Sequence, residues 1–97
     1  MSQHVVLMKF TETGIANITQ SPDRALAFRS AAEKAGVKIE TQLWTAGPYD
    51  ALMVLDSPDE AAATALVLGL GKTGNVSTCM LRAFDEREFK TVLGKMA

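Results

Sequence analysis

The chain has 97 residues, 47% of them hydrophobic and 22% charged, which is typical of one globular domain. Its formal net charge is −1, and no basic block is present to neutralise a phosphate backbone, so the composition argues against nucleic acid as a partner. A single cysteine, an N-terminus without a secretion-signal pattern and apolar runs shorter than the roughly 20 residues of a membrane span predict a cytoplasmic, one-domain protein over residues 1–97 that does not enter the membrane.

The first part of the chain predicts a strand followed by a helix. Residues 4–10 (HVVLMKF) are an uninterrupted apolar run, which is typical of a strand buried on both faces. Residues 11–20 predict an irregular connection with one helical turn. Residues 21–36 begin with Ser-Pro-Asp, carry apolar residues at helical spacing and end at Gly36, so they predict the first main helix.

The middle of the chain predicts two strands joined by a turn. Residues 37–44 alternate in polarity and indicate an edge strand, with Leu43 on the buried face and Trp44 on the other. Residues 51–56 (ALMVLD) are apolar on both faces and indicate a central strand. The turn between them contains Gly-Pro-Tyr-Asp at positions 47–50.

The last part repeats the helix–strand order and adds a terminal helix. Residues 57–71 again begin with Ser-Pro-Asp and predict the second main helix, and residues 75–84 predict a fourth strand. Asp85 followed by Glu88 forms a capping-box pattern at the start of an amphipathic C-terminal helix.

This β-α-β-β-α-β order predicts an α+β, ferredoxin-like fold: a four-stranded antiparallel sheet with two helices on one face, plus the C-terminal helix. We expect the first and third strands to be neighbours and parallel. That arrangement would gather five functional candidates at one end of the sheet: His4, Trp44, Tyr49, Asp50 and Arg82. Lys9, Asp56 and Asn75 would lie at the opposite end.

The central strands also predict self-association. Two helices cover only one face of the sheet, yet these strands are apolar on both faces. The uncovered side chains would expose a few hundred Å², the size at which an apolar patch usually marks an interface or a ligand groove. We therefore expect a homo-oligomer that forms through the open face of the sheet, with a dimer as its building block.

Each candidate residue has a structural and a functional interpretation. His4 is either a general base or a partly exposed residue near the terminus, and Asp50 either caps its turn or takes part in chemistry. Tyr49 either packs on Trp44 or directs its hydroxyl to a ligand. Arg82 either pairs with Asp50 or binds an anionic ligand.

The sequence offers no pattern for a metal or a cofactor. The single His, the single Cys and the scattered carboxylates lack metal-ligand spacing, so we expect neither. Cys79 has no adjacent base on its strand, which predicts a small buried hydrophobic residue rather than a nucleophile.

The turn with Gly47, Tyr49 and Asp50, together with VVLMKFTETGI near the start and GNVSTCMLRAFDE near the end, resembles the GYD domain family. The resemblance extends over roughly residues 4–96. It implies a ferredoxin-like subunit of the dimeric α+β-barrel type and no particular reaction, since similar subunits include effector-binding domains and cofactor-free oxygenases.

Three functions are compatible with these features. The leading hypothesis is a homo-oligomer that binds a small molecule, in a regulatory or accessory role, between the sheet and a neighbouring subunit near Trp44, Tyr49, Asp50, His4 and Arg82. The second is a cofactor-independent enzyme, oxygenase- or isomerase-like, with His4 or Asp50 as base and Tyr49 as hydrogen-bond donor. The third is a structural assembly module.

Overall fold

The computed structural model describes residues 2–96, which form one sheet and a set of helices. In chain order the elements are β1 (Ser2–Phe10), α1 (Glu12–Ala16), a short 3-10 turn (Ile18–Gln20), α2 (Ser21–Lys34), β2 (Lys38–Trp44), β3 (Ala51–Ser57), α3 (Glu60–Lys72), β4 (Val76–Ala83) and α4 (Glu86–Gly94).

The sheet has the strand order β2-β3-β1-β4, and every neighbouring pair is antiparallel. The order of elements and the sheet confirm the predicted ferredoxin-like α+β fold, including the edge position of β2. The predicted capping box at the start of α4 is also present: the Asp85 carboxylate accepts the Glu88 N–H, and the Glu88 carboxylate accepts the Asp85 N–H.

The direction of the central pair differs from the prediction. β1 and β3 are antiparallel, with Ser2 opposite Ser57 and Met8 opposite Ala51. The reason is chain direction: the crossover through α2 leaves β1 and β2 pointing the same way, and the turn after Trp44 then reverses the chain into β3. The start of β1 therefore lies beside the end of β3, and the predicted single cluster of functional candidates divides between two ends.

The core lies between the sheet and the helices α2 and α3. Alternate residues of the central strands, such as Val6 and Met53, point into it and meet Phe28 of α2 and Val67 of α3. This is the period-2 pattern expected when one face of a sheet is covered. Because both main helices lie on this side, the other side of the sheet is left without them.

A β-bulge in β2 changes which side chains face this core. Ile39 pairs with Leu55 and Thr41 with Val54, so Glu40 is an extra residue in the ladder. The bulge reverses the alternation: Trp44 lies opposite the buried Ala51 and faces the helices, whereas Leu43 faces away. The prediction had these two side chains on the opposite faces, since it assumed an unbroken alternation.

The face without helices carries a continuous apolar surface, which we call the open face. It consists of Val5, Leu7, Leu43, Leu52, Val54, Cys79 and Leu81, contributed by all four strands. Leu43 at one edge is 52% exposed, and Leu81 at the other is 45% exposed. The predicted uncovered apolar face is therefore present in the monomer.

Helix α4 has an apolar stripe that is also exposed. Phe89, Val92 and Leu93 recur at helical spacing on α4, Met96 follows just beyond its end, and all four side chains are exposed. An amphipathic helix normally buries such a stripe, so the chain has a second surface that its own sheet does not cover. Of the helices within residues 2–96, none combines the length and apolar character needed to cross a bilayer.

Candidate functional site

The predicted functional residues occupy two opposite ends of the sheet. At the first, which we call the Asp50 end, Trp44, Tyr49 and Asp50 lie beside the end of β1 and the start of β4. At the second, the His4 end, His4 pairs with Arg82 and lies next to the end of β3. The span of β1 from His4 to Lys9 separates the two ends by about 16 Å. Lys9 and Asn75 belong to the Asp50 end and Asp56 to the His4 end.

Asp50 connects its turn to β1. Its Oδ2 atom accepts the backbone N–H of Phe10 at 2.8 Å, and its own N–H donates to the Met8 carbonyl at 2.8 Å. Its carbonyl also accepts the N–H of Thr45 at 2.9 Å, which closes the turn. The carboxylate thus extends the β1–β3 ladder beyond its last backbone pair. The carboxylate therefore has a structural role, but its partner lies on β1 and not in its own turn, where the capping interpretation had placed it. A direct role in ligand binding stays a prediction.

Tyr49 and its neighbours complete the turn. Gly47 has a φ of 147°, a conformation that side-chain-bearing residues rarely adopt. The Thr45 hydroxyl donates to the Tyr49 carbonyl at 2.6 Å, and the Lys9 ammonium lies 5.2 Å from the centre of the Tyr49 ring. A cation at this distance is within the range of a cation–π interaction. The Tyr49 ring therefore lies beside the end of β1, exposed, with Lys9 over it.

Trp44 faces the helix layer and borders a small cavity. Its indole N–H donates to the Ser21 hydroxyl at 2.9 Å, which ties β2 to the first turn of α2. Ser21 is therefore occupied by the tryptophan and makes no side-chain cap to α2. Next to this contact is a cavity of about 50 Å³ with mostly apolar walls, lined among others by Met8, Phe10, Phe28, Arg24 and Trp44.

Arg82 is occupied by acceptors at the His4 end. Its guanidinium contacts the Glu60 carboxylate at 3.2 Å and the Glu88 carboxylate at 3.1 Å, and it donates to the carbonyls of Gln3 and Ala83. Its predicted partner Asp50 lies at the opposite end of the sheet. Arg82 joins the starts of α3 and α4 to β1, so most of its hydrogen-bonding capacity is used structurally.

His4 is buried, contrary to the interpretation as a partly exposed residue. Its side chain is 7% exposed and faces the helices, and its Nδ1 atom has no hydrogen-bond partner within residues 2–96. On the opposite face, Asp56 has one buried carboxylate oxygen that likewise finds no partner in the described chain. Gln3 and Lys38 are its cross-strand neighbours.

The position of Cys79 differs from the prediction. Cys79 is exposed on the open face, so the prediction of a buried residue is wrong for the isolated chain. It alternates with Thr78 and Met80, which face the helix layer. Within residues 2–96, no group of three His, Cys, Asp or Glu side chains is arranged to hold a metal ion.

Arg24 is the cavity residue that the sequence analysis missed. Its Nη1 atom donates to the Asn17 carbonyl at 3.0 Å, whereas its buried Nη2 atom has no hydrogen-bond partner in the described part of the chain. A signal was present in the sequence: Arg24 and Phe28 are four positions apart on one helix and therefore share a face. A charged residue next to the buried stripe of an amphipathic helix is worth examining for this reason.

These features define a ferredoxin-like α+β domain with an uncovered sheet face and a helix-side cavity. Comparison with known proteins places it further: the model of the GYD domain family matches residues 4–93, and the chain belongs to that family. The chain is also 30% identical over 84 residues to the "Glutamine synthetase and cystathionine beta-lyase binding protein" of Thermus thermophilus, with 86% of this chain and 88% of that protein covered.

Proposed function

We propose that the protein is a homo-oligomeric accessory protein that binds other proteins, with two copies paired through their open faces. The observation that carries this proposal is the apolar open face, which extends over all four strands. Large apolar faces on soluble domains usually mark interfaces. A cytoplasmic location, expected from the single cysteine, is part of the proposal.

The dimensions of the open face are compatible with dimerisation. Four strands and about seven residues along each give a face of about 19 by 23 Å, or about 440 Å². At about 25 cal/mol per Å², complete burial of an apolar face of that area would contribute about 11 kcal/mol per copy. Association costs about 4–15 kcal/mol in lost freedom, besides side-chain ordering and desolvation, so the burial of two such faces is large enough to support a dimer without fixing its affinity.

The exposed stripe of α4 provides a second apolar surface for contact. A stable interface typically buries about 800 Å² per partner, more than the sheet face alone supplies. Arg82 fixes the first turn of α4 through Glu88, so the stripe is presented in a defined direction. We propose that this stripe completes the oligomer or receives another protein, a role consistent with the relative whose name describes binding to two enzymes.

Oligomerisation is tested by placing a charge in the open face. Leu81→Glu would bury a carboxylate without a partner in the dimer, which costs several kcal/mol and should weaken dimerisation by about a hundredfold or more. Leu68→Glu is the matched control, because Leu68 is 68% exposed on α3, away from this face. Sedimentation velocity from 1 to 100 µM should show a dimer or larger assembly for wild type and control, and a monomer for Leu81→Glu. A monomeric wild type at 100 µM would overturn the proposal.

Protein binding is tested with the two enzymes that appear in the name of the relative. Glutamine synthetase and cystathionine β-lyase from the organism that encodes this protein would be immobilised and titrated with the purified protein by biolayer interferometry. Binding to either at micromolar concentration, weakened by Phe89→Glu on α4, supports the accessory role. If neither enzyme binds at 50 µM, the proposal that this protein binds these two enzymes is refuted.

Small-molecule binding is a second candidate function, and the cavity beside Trp44 favours it. The distribution of residues does not favour the catalytic alternative in the monomer, because His4 lies about 16 Å from the end that holds Tyr49 and Asp50. Neither Tyr49 nor Asp50 lines the cavity. A ligand in this cavity would therefore bind on the helix side of the sheet, and of the five residues predicted together it would meet only Trp44.

A further inference from the structure

We infer that the cavity beside Trp44 binds a small carboxylate with an apolar chain and that Arg24 is its anionic anchor. This inference rests on the proposed small-molecule function and adds the ligand class and the residue that recognises it. It does not depend on the oligomer.

The first argument is the state of the Arg24 guanidinium. Nη1 has the Asn17 carbonyl as acceptor, but the buried Nη2 has none within residues 2–96. The ion pairs of the described chain involve Arg82 and Lys90, and none includes Arg24. A buried donor without an acceptor is rare in native proteins because it loses its hydration without compensation. A ligand carboxylate would supply both the acceptor and the counter-charge.

The second argument is that, within residues 2–96, no other side chain lining the cavity has a buried polar atom without a partner. The Ser21 hydroxyl accepts from Trp44, the Gln42 carbonyl oxygen accepts from Arg29 at 2.6 Å, and the Thr73 hydroxyl donates to the Leu70 carbonyl at 2.7 Å. Arg24 therefore stands out among the polar lining groups by its buried, unused donor. The free polar group that the cavity offers is therefore a cation, and a cation favours an anionic ligand.

The third argument is the shape and chemistry of the surrounding space. Arg24 lies where the cavity meets an open cleft of about 430 Å³ between α2 and α3, and Phe28 and Leu70 line both. The remaining walls of the cleft are largely alanine and leucine. One cationic group beside a mostly apolar space is the pattern that binds a monocarboxylate with an aliphatic chain: the carboxylate pairs with Arg24 and the chain occupies the apolar volume.

The test compares octanoate with octanol, which has the same chain length and no charge. Isothermal titration calorimetry on the wild-type protein measures both affinities, and the emission of Trp44, the single tryptophan, reports on the cavity. We expect octanoate to bind, to change the Trp44 emission, and to bind about tenfold or more tightly than octanol, because only the acid satisfies the guanidinium.

Variants at Arg24 provide the second arm. Arg24→Gln should weaken octanoate binding about tenfold or more and leave octanol unchanged, and Arg24→Lys should recover part of the loss. Arg87→Gln on α4 is the control, because it removes the same charge far from the cavity, and it should bind octanoate as the wild type does. If Arg24→Gln fails to fold, the comparison of acid and alcohol on the wild type decides.

The outcomes separate this inference from the function on which it rests. Equal binding of octanoate and octanol, or octanoate binding unaffected by Arg24→Gln, would overturn the role of Arg24 while leaving small-molecule binding in place. Octanoate binding without any change in Trp44 emission would overturn the location. Absence of binding by either compound at 5 mM would overturn both.

Discussion

Replacing Asp50 tests whether its carboxylate holds the turn at residues 47–50 against β1. The carboxylate accepts the Phe10 N–H at 2.8 Å in a partly buried setting. Hydrogen bonds to charged groups contribute about 1.5–3 kcal/mol, so Asp50→Ala should lower the free energy of unfolding by about 2 kcal/mol. For a domain of this size that corresponds to a fall in melting temperature of about 8–16 °C.

Asp50→Asn is the matched control for this substitution. Its side-chain oxygen can still accept the Phe10 N–H, but as a neutral acceptor, and neutral hydrogen bonds contribute about 0.5–1.5 kcal/mol. The expected order of stability is therefore wild type, Asp50→Asn, Asp50→Ala. Neither substitution changes a residue that lines the cavity beside Trp44, so the affinity for octanoate should change less than the stability does.

Urea unfolding followed by far-UV circular dichroism measures the effect. All three proteins would be unfolded at one protein concentration, because the stability of an oligomer depends on concentration. The midpoint should shift while the slope stays constant, which identifies a change in stability rather than in the denatured state. A loss below about 0.5 kcal/mol for Asp50→Ala would refute the structural role of the carboxylate.

Two further substitutions test the contacts that hold the helices to the sheet. Gly14→Ala would place a Cβ atom 2.0 Å from the Asn75 carbonyl oxygen and should cost about 3 kcal/mol in urea unfolding, whereas Gly69→Ala, which meets nothing within 4 Å, should be neutral or stabilising. Arg82→Gln removes contacts to two carboxylates from a side chain that is 30% exposed and should cost about 1–2 kcal/mol, against less than about 0.5 kcal/mol for Lys90→Gln in an exposed pair. Equal effects within either pair, read from the same unfolding curves, would contradict the packing described.

The fold was predictable because its signals are local and repeated. The period of apolar residues distinguishes strands from helices, and the capping box at Asp85 fixes the start of α4. Such patterns depend on residues close in sequence. The order of elements then restricts the topology, since crossovers are right-handed and neighbouring strands are joined by short turns.

The candidate site was less predictable because it depends on strand direction and on a single extra residue. The prediction made β3 parallel to β1 and so gathered Trp44, Tyr49 and Asp50 beside His4. The antiparallel pairing places all three at the opposite end of the sheet. The bulge at Glu40 also places Trp44 on the helix side of the sheet, and the alternating polarity of residues 37–44 does not indicate that a bulge is present. Arg24 was not predicted for a different reason. It shares a helix face with Phe28, but a charged residue on a helix is usually solvated, and only the three-dimensional contacts show that its donor is buried.

The buried polar atoms without partners then separate structural roles from functional ones. Asp50 Oδ2 accepts the Phe10 N–H and Arg82 contacts two carboxylates, so removing either side chain should mainly change stability. Within residues 2–96, three buried side-chain atoms have no hydrogen-bond partner: His4 Nδ1, Asp56 Oδ1 and Arg24 Nη2. Asp56 lies on the open face beside Lys38, and neither Asp56 nor His4 is among the residues that line the cavity. Of these three residues, Arg24 is the one that has an unused hydrogen-bond donor and also lines an apolar cavity. Ligand affinity should therefore depend on Arg24 more than on the turn at Asp50.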